Sequence, residues 1–271
     1  MPCIETAYSF LRQFILRRSE NVLDPSRNDL FEARLYRLLQ AQGMADLDEL
    51  VCKLGLGADP SLDQAVVEAM TINQTSFFRD QAPFELMRRR LLPQLVERRS
   101  TQRNLRFWSA ACASGQEAYS LAMLIRSDFP QLAEWNTEIV GTDINAEMIC
   151  RAQAGRYGRM EINRGLPARL LLKYFSREGE EWVLASELRA MCRFKQRNLS
   201  HALSASDQYD GILMRNVLFY FSESTQRRIL RNAHAALRPD GFLILGSSEQ
   251  AAGSDLWEPR IDGNGCYYTP R

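Results

Sequence analysis

The spacing of apolar residues changes near residue 70, and this change predicts two different parts of the chain. In the first part apolar residues such as Leu11, Phe14 and Ile15 recur at helical spacing. A capping box made of Asp29 and Glu32 predicts the start of a second helix. The helices predicted from start and stop signals run from Asp29 to Gly43, from Asp46 to Gly55, and from Ser61 to about Met70. Residues 1–70 are therefore predicted to form a helical domain, and residues 71–85 a linker.

Residues 86–271 alternate between strand-like and helix-like patterns. The run Leu105–Ala110 is extended in type, small residues follow it, and a helix begins near Glu117. Further strands are predicted at Glu138–Asp143, Cys192–Leu199, Tyr209–Met214, Phe242–Leu245 and Cys266–Thr269. This alternation predicts an α/β fold with a doubly wound, mostly parallel sheet.

Residues 156–191 interrupt that alternation. They contain closely spaced glycines, a proline and aromatic residues, with one short helical stretch near Ala168 to Tyr174. This pattern predicts an inserted subdomain with a short helix and a small antiparallel sheet.

The small-residue turn after Leu105–Ala110 is the predicted ligand site. In an open parallel sheet, ligands bind outside the carboxyl ends of the strands. The turn has a single glycine, Gly115, and lacks the Gly-x-Gly-x-x-Gly sequence that a dinucleotide pyrophosphate requires. A nucleoside without phosphates, such as S-adenosylmethionine, makes no such demand. The sequence therefore favours a phosphate-free nucleoside ligand.

Two carboxylates are placed to hold such a ligand. Asp143 ends the second predicted strand, where an acidic residue can accept hydrogen bonds from ribose hydroxyls. Alternatively, Asp143 only caps the next helix, although Asn145 can do so alone. Glu117 can face the positive sulfonium and the amino acid end of the ligand. It can equally be an ordinary first-turn residue that compensates the helix dipole.

Composition narrows the function classes. The chain has 271 residues, 45% of them hydrophobic and 25% charged, with a net charge of +1. This balance does not favour nucleic acid or anionic membranes as partners. Six cysteines without Cys-x-x-Cys spacing, together with only two histidines, argue against a structural zinc site and a disulfide framework. The sequence shows neither a signal peptide nor an apolar run of about 18 residues, so we expect a cytoplasmic protein without membrane insertion.

Four segments resemble, in order, the motifs of the CheR-type chemotaxis receptor methyltransferases, which are protein-glutamate O-methyltransferases. They are Asn-Gln-Thr-Ser-Phe-Phe-Arg at 73–79, Phe-Trp-Ser-Ala-Ala-Cys at 107–112, Thr-Asp-Ile at 142–144, and Arg-Asn-Val-Leu-Phe-Tyr-Phe at 215–221. The family's Gly-Glu-Glu-Pro-Tyr is Gly-Gln-Glu-Ala-Tyr here, at 115–119. The second glutamate of that motif, Glu117, is retained, whereas Gln116 and Ala118 depart from it.

The resemblance implies a Rossmann-like methyltransferase fold and a cofactor site. S-adenosylmethionine would be the methyl donor and S-adenosylhomocysteine the product. The cofactor-binding residues implied, besides Glu117 and Asp143, are Asn73, Thr75, Arg79, Asn198, Leu199, Arg215 and Asn216. Arg79 would pair with the cofactor carboxylate, because an arginine fork suits a carboxylate. Arg79 and Tyr220 are the catalytic residues implied, with Tyr220 beside the transferred methyl group. Tyr220 can equally be a core tyrosine.

The resemblance also implies a substrate. It would be the acidic cytoplasmic methylation helices of a chemoreceptor, met by Arg34 and Arg37 on the helical domain, although such arginines are commonly solvated surface. The loop after Tyr174-Phe175 is short and lacks the Gly-x-Gly-Pro of members that dock a receptor peptide, so this chain resembles the peptide-independent type. A monomer is expected.

Two alternatives remain open. The arginines at 88–90, 98, 99, 103 and 106 form a basic stretch. A solvated helix explains them, and an acidic protein surface or RNA would also fit, so methylation of RNA or of a small molecule is the second hypothesis. The departures at Gln116 and Ala118 leave a third, a signalling module that binds S-adenosylmethionine without transferring its methyl group.

Overall fold

A computed structural model describes residues 4–26, 28–204, 207–251 and 255–271. The helices are α1 Ile4–Ser19, α2 Asp29–Ala41, α3 Leu47–Leu56, α4 Pro60–Ala69, α5 Gln81–Leu86, α6 Leu92–Arg98, α7 Gln116–Asp128, α8 Ala146–Ala154, α9 Arg159–Ile162, α10 Ala168–Tyr174, α11 Ser186–Met191 and α12 Glu223–Ala236. The strands are β1 Asn104–Ala110, β2 Asn136–Asp143, β3 Arg156–Gly158, β4 Phe175–Glu178, β5 Glu181–Leu184, β6 Cys192–Gln196, β7 Tyr209–Met214, β8 Leu237–Leu245, β9 Trp257–Asp262 and β10 Gly265–Pro270. A π-helical turn, Met87–Leu91, joins α5 to α6, and short 3₁₀ turns lie at Pro130–Glu134 and Leu218–Tyr220. None of the described helices is long and apolar enough to cross a membrane.

The chain divides into two compact units. One, the helical unit, comprises Met1–Ile72 with Phe219–Thr225, and the other, the sheet unit, comprises Asn73–Leu218 with Gln226–Arg271. In the helical unit α1 to α4 bury apolar faces that include Leu11, Leu35 and Val66. These buried positions follow the helical spacing of the sequence.

The helix boundaries of this unit correct two predictions. Helix α2 begins at Asp29 as predicted, but Asn28 holds the N-cap position without a side-chain cap hydrogen bond, so the capping box predicted for Asp29 and Glu32 is wrong. Glu32 instead accepts a 2.5 Å hydrogen bond from the Tyr8 hydroxyl. Asp59 rather than Ser61 caps α4.

The third predicted helix start is confirmed. The Asp46 side chain accepts from the Glu49 N–H at 2.9 Å at the start of α3. The same helix ends at Leu56, with Gly57 in the left-handed conformation after it, and therefore runs past the predicted stop at Gly55.

A seven-stranded mixed sheet organises the sheet unit, in the order β6-β2-β1-β7-β8-β10-β9. The first five strands in this order run parallel to their neighbours, and β10 pairs antiparallel with both β8 and β9. The predicted doubly wound sheet is thus confirmed. The strands that follow β1 along the chain first lie on one side of it and then on the other, so the order reverses between β1 and β7. Strand β9 was not predicted.

Close packing beneath the sheet depends on one glycine. A Cβ at Gly141 in β2 would overlap the Phe194 ring of β6 and lie 3.1 Å from the Cys112 sulfur. Phe194 itself is buried and packs at 5.4 Å, ring centre to ring centre, against Tyr119 of α7. Glycine at 141 therefore lets an aromatic side chain from the neighbouring strand cover the sheet.

The predicted inserted subdomain is confirmed as a three-stranded antiparallel sheet in the order β3-β5-β4. The predicted short helix is α10. Tyr157 of β3 is fully buried and packs edge-on against Phe77 and Phe175. This aromatic cluster joins the insert to the core of the sheet unit.

Candidate functional site

The candidate site lies where the parallel strands β6, β2, β1 and β7 end. These carboxyl ends flank the point at which the strand order reverses. At such a point the connections leave the sheet in opposite directions, and a crevice opens between them.

The loop between β1 and α7 has an unusual backbone. Ala111 and Ala113 have positive φ angles of 55° and 46°, and Gly115 has one of 89°. A Cβ at Gly115 would lie 3.0 Å from the Ala152 Cβ of α8, so the loop packs closely on that helix. Non-glycine residues with positive φ cost free energy and concentrate at ligand sites. We call Ala111–Gly115 the cofactor loop.

Hydrogen bonds hold the cofactor loop from both sides. The Tyr157 hydroxyl of the insert donates to the Ser114 carbonyl at 2.8 Å. The Cys112 N–H donates to the Thr142 carbonyl of β2 at 2.9 Å. Buried polar groups thus fix the loop in its strained conformation.

Asp143 is oriented by this loop. Its Oδ2 accepts from the Ala113 N–H at 2.9 Å, its Oδ1 accepts from the Asn145 N–H at 3.0 Å, and the residue is buried. Asn145 caps α8 by accepting from the Met148 N–H. Capping therefore falls to Asn145, as the sequence allowed, and Asp143 instead fastens the cofactor loop to the end of β2.

Glu117 faces inward rather than into solvent. One oxygen accepts from the Ser109 hydroxyl at 2.8 Å, and the other accepts from the Arg215 guanidinium at 3.0 Å. Its side chain is only 13% exposed. A helix-dipole partner on the surface needs no such contacts, so these favour the binding interpretation of Glu117.

Arg215 connects β7 to the linker segment. Its guanidinium, 2% exposed, pairs with Glu117 and with Asp80 at 2.9 Å, and donates to the Arg79 carbonyl at 2.7 Å. Asp80 and Phe78 both have positive φ angles. The linker thus reaches the edge of the sheet through a buried arginine.

The three linker residues predicted to bind cofactor lie on this segment. Arg79 donates to the Gln74 carbonyl at 2.9 Å. Asn73 and Thr75 are half-buried, and their side chains make no hydrogen bond to other described residues. Their polar groups therefore face the surface of the segment without an internal partner.

The residues predicted around the adenine and methionine moieties follow β6 and β7. The Arg197 N–H donates to the Asp143 carbonyl at 2.7 Å, which brings the start of the loop with Asn198 and Leu199 beside the end of β2. Asn198 turns that loop by accepting from Ser200, and Leu199 is buried. Asn216 has a φ of 59° directly after Arg215.

Glu249 contacts the loop that carries the predicted site residue Asn216 and was not among the residues predicted from the sequence. Its carboxylate accepts four backbone hydrogen bonds of 2.7 Å, from Gly246 and from Asn216, Val217 and Leu218. Its position in Gly-Ser-Ser-Glu, directly after a buried strand, was the available signal. Three of the four backbone donors lie 31 to 33 residues away in sequence, so spacing alone could not reveal them.

The remaining predicted residues lie in the helical unit. Arg34 donates to the Met70 and Thr71 carbonyls at the end of α4. Arg37 is exposed and has no partner among the described residues. Tyr220 is half-buried with its ring 4.4 Å from that of Phe219, which is 53% exposed, and this weakens the core-tyrosine alternative.

Cys112 behaves as a packing residue. It is 2% exposed, and burial, with Asp143 and Glu117 as further causes, raises the pKa of its thiol well above 9.0. A thiol with a raised pKa is a poor nucleophile near neutral pH. The charged side chains at these strand ends are therefore the carboxylates of Asp143 and Glu117 and the guanidinium of Arg215.

The arginines of the basic stretch are mostly solvated, as one of the alternatives expected, since Arg89, Arg90, Arg98 and Arg103 are exposed, whereas Arg99 is buried. All seven contact acidic side chains or a carbonyl: Arg88 with Glu85 and Asp128, Arg89 with Glu85, Arg90 with Asp262, Arg98 with the Asp240 carbonyl, Arg99 with Asp210 and Asp240, Arg103 with Glu134, and Arg106 with Glu138 and Asp207. Carboxylate partners offset six of these seven charges, and paired charges attract RNA phosphates weakly, so this stretch does not support the RNA hypothesis.

The polar groups and the shape of the site suit S-adenosylmethionine. The Asp143 and Glu117 carboxylates are acceptors of the kind that ribose hydroxyls and an ammonium group require. The cofactor loop is narrow at Gly115, where a Cβ would meet α8, and it has no glycine-rich phosphate turn. A nucleoside without phosphates meets these requirements.

Comparison with known proteins agrees with this geometry. Residues 73–264 match a family model described as "CheR methyltransferase, SAM binding domain". The chain is 37% identical over 254 residues to Chemotaxis protein methyltransferase 1 of Pseudomonas aeruginosa, covering 92% of each chain. It is 36% identical to Chemotaxis protein methyltransferase Cher2 of Pseudomonas putida, covering 89% of each. It is 34% identical to Chemotaxis protein methyltransferase 1 of Vibrio cholerae, over 86% of this chain and 84% of that protein.

Proposed function

The chain belongs to the CheR methyltransferase family, and from this premise we propose that it transfers the methyl group of S-adenosylmethionine to glutamate side chains of a chemoreceptor. The products would be glutamate methyl esters and S-adenosylhomocysteine. The observation that carries the proposal is the pair of fixed carboxylates, Asp143 and Glu117, at the reversal of strand order. The match to the family model spans both of them.

The cofactor supplies an electrophilic methyl group on a positive sulfur. Asp143 would hold the ribose, Glu117 the amino group, and Arg79 the carboxylate of the methionine moiety. A glutamate of the receptor is ionised at neutral pH, so the acceptor needs no general base. The contribution of this chain is then to position the two reactants and to exclude water from the acceptor carboxylate.

Tyr220 is the residue that we propose to lie beside the methyl group. Leu218, two residues earlier, is fixed by Glu249, and Leu218–Tyr220 form one 3₁₀ turn. Tyr220 is half-buried, so part of its side chain reaches the surface.

We propose that Arg37 contributes more to substrate recognition than Arg34. Arg37 is exposed, whereas Arg34 holds the end of α4. An exposed arginine can steer an acidic methylation helix towards the protein, as complementary charge does in other complexes.

We further propose that no receptor peptide is docked on the insert. Strands β4 and β5 are joined by a tight turn at Gly179, which has a φ of 63°. Arg156 of β3 pairs with Glu178 and Glu181 at 2.9 Å, so charges across this sheet satisfy one another. Receptor fragments with and without their carboxyl-terminal peptide should then be methylated at equal rates, and faster methylation of the longer fragment would contradict the proposal.

The central proposal is tested by cofactor binding and by the chemistry of the product. Calorimetry should show binding of S-adenosylhomocysteine to the full chain. Transfer from radiolabelled S-adenosylmethionine to cytoplasmic chemoreceptor fragments should give a label that alkali releases as methanol, and fragments whose acceptor glutamates are changed to aspartate should take up none. The absence of both cofactor binding and alkali-labile transfer would refute the proposed function. Alkali-stable label on RNA would favour the second hypothesis, and binding without transfer to any receptor fragment the third.

A further inference from the structure

Glu249 joins the loop after β8 to the loop after β7. Its Oε2 accepts from the Gly246 and Asn216 N–H groups, and its Oε1 accepts from those of Val217 and Leu218, all at 2.7 Å. The residue is 8% exposed. An ionised carboxylate offers only acceptors, and here each of its oxygens receives two donors.

We infer that Glu249 is a positioning residue of the methyl-transfer site, acting through the backbone of residues 216–218. We call this set of hydrogen bonds the Glu249 clamp. The inference rests on the proposed function, since it concerns the same site. Nothing in it requires Glu249 to touch the cofactor.

The backbone of this loop needs an anion. Three successive N–H groups converge on one carboxylate, and Val217 and Leu218 are buried. Such converging N–H dipoles repel one another and form an anion-binding concavity. Asn216 is in addition held at a φ of 59°, a conformation that persists only where its surroundings enforce it.

Gly246 allows the two loops to approach each other. A Cβ at this position would lie 2.5 Å from the Glu249 Oε2 and 2.9 Å from the Asn216 nitrogen. Only glycine therefore leaves room for the clamp.

The residues that the Glu249 clamp holds are flanked in the chain by predicted site residues on both sides. Arg215 precedes the clamped residues and holds Glu117 and Asp80. Tyr220 follows them at the end of the 3₁₀ turn that begins at Leu218. Loss of the clamp should therefore displace the predicted methionine-binding residues without removing any of them.

The substitution Glu249→Gln tests this directly. A carboxamide has one oxygen, so whichever way it turns, two of the four N–H groups face another donor. The folded variant should bind S-adenosylhomocysteine at least about tenfold more weakly, and its KM for S-adenosylmethionine should rise, because misplaced binding groups cost affinity on this scale. A merely structural role would lower the folded fraction and the Tm but leave the KM of folded molecules unchanged. Glu258→Gln, which removes only an exposed pair with Arg260, is the matched control and should change neither quantity.

A second measurement uses the unaltered protein. Hydrogen exchange without cofactor should show the amides of Asn216, Val217 and Leu218 protected to the level of strand β7. In Glu249→Gln they should lose protection while β1 keeps it. Should Glu249→Gln fail to fold, Gly246→Ala takes its place with the same expectation, because its Cβ separates the two loops.

Two results would overturn the inference: rapid exchange of these three amides in the unaltered protein, or a folded clamp variant with unchanged cofactor affinity. Failure of the proposed function looks different. The unaltered protein would then neither bind S-adenosylhomocysteine nor label a receptor, while amide protection at 216–218 would still decide whether the clamp exists.

Discussion

The substitution Asp143→Asn tests the cofactor site most sharply. It keeps the size and shape of the side chain and removes its charge. In the native protein the two Asp143 oxygens accept from the N–H groups of Ala113 and Asn145 at 2.9 and 3.0 Å. With asparagine one of these N–H groups must face an amide NH₂. The same exchange removes one acceptor for the ribose.

The size of the effect follows from these hydrogen bonds. A hydrogen bond to a charged group contributes about 1.5–3 kcal/mol, which corresponds to roughly a 10- to 150-fold change in a binding constant. Asparagine retains one acceptor oxygen, so we expect the loss of about one such bond to the ligand. S-adenosylhomocysteine should therefore bind about 10- to 150-fold more weakly.

Isothermal titration calorimetry measures this affinity, and Asn145→Ala is the control. That change removes the α8 cap, which should cost about 0.5–2 kcal/mol of stability. It keeps the Asp143 carboxylate and should leave ligand affinity within a factor of about two. Unchanged affinity in Asp143→Asn would refute the assignment of Asp143. Equal weakening by both variants would also refute it, because loop integrity rather than the carboxylate would then set affinity.

Three further outcomes are expected. Gly141→Ala should lower the free energy of unfolding by about 1–3 kcal/mol, measured in denaturant, because its Cβ overlaps Phe194; Phe194→Leu should restore part of the loss, and full stability of Gly141→Ala would contradict the packing. Arg37→Ala should reduce receptor methylation without changing the Tm, whereas Arg34→Ala should lower the Tm; identical methylation by Arg37→Ala and the unaltered chain would exclude the proposed role. The hydrogen bond to Glu32 raises the pKa of Tyr8 from 10.0 to about 12, so its stabilisation is present below pH 10 and is lost as the pH rises towards 12. Tyr8→Phe should flatten that part of a stability-versus-pH curve, and an unchanged slope would argue against the bond.

The central part of the fold was predictable because its signals are local. The run before Gly115 is apolar and extended, small residues follow it, and Asp143 ends the next strand. The alternation of strands and helices then predicts a doubly wound sheet, whereas the order of its strands comes from the structure. These patterns are sufficient to predict that Asp143 and Glu117 lie at the same end of the parallel strands.

The errors share a physical cause, which is competition between equivalent signals. Asp29 could cap α2, but it is the first residue of the helix, and Asn28 at the N-cap position makes no side-chain cap hydrogen bond. Asp59 lies two residues before Ser61 and has the stronger side-chain acceptor for the start of α4. Helix propensity and cap signals differ by tenths of a kcal/mol between neighbours, so tertiary packing decides the boundary.

Contacts between residues that are distant in sequence could not be predicted from the sequence. The arginines of the basic stretch look like a solvated face, yet Arg99 is buried against Asp210 and Asp240, more than 100 residues away. Glu249 meets its backbone donors only after β7 and β8 have paired. Neither partnership follows from spacing, because both depend on the register of a parallel sheet.

The hydrogen bond from the Tyr157 hydroxyl to the Ser114 carbonyl connects the insert to the cofactor loop. A ligand that orders the cofactor loop would also stabilise the small sheet that carries Tyr157. By thermodynamic linkage, stabilising that sheet would then strengthen ligand binding by the same factor. A substitution that loosens this sheet, away from any group proposed to hold the ligand, would therefore weaken cofactor binding. The insert thus supports the cofactor loop and the helix after it through the Tyr157 hydroxyl and through the Gln116–Glu161 hydrogen bond at 3.3 Å.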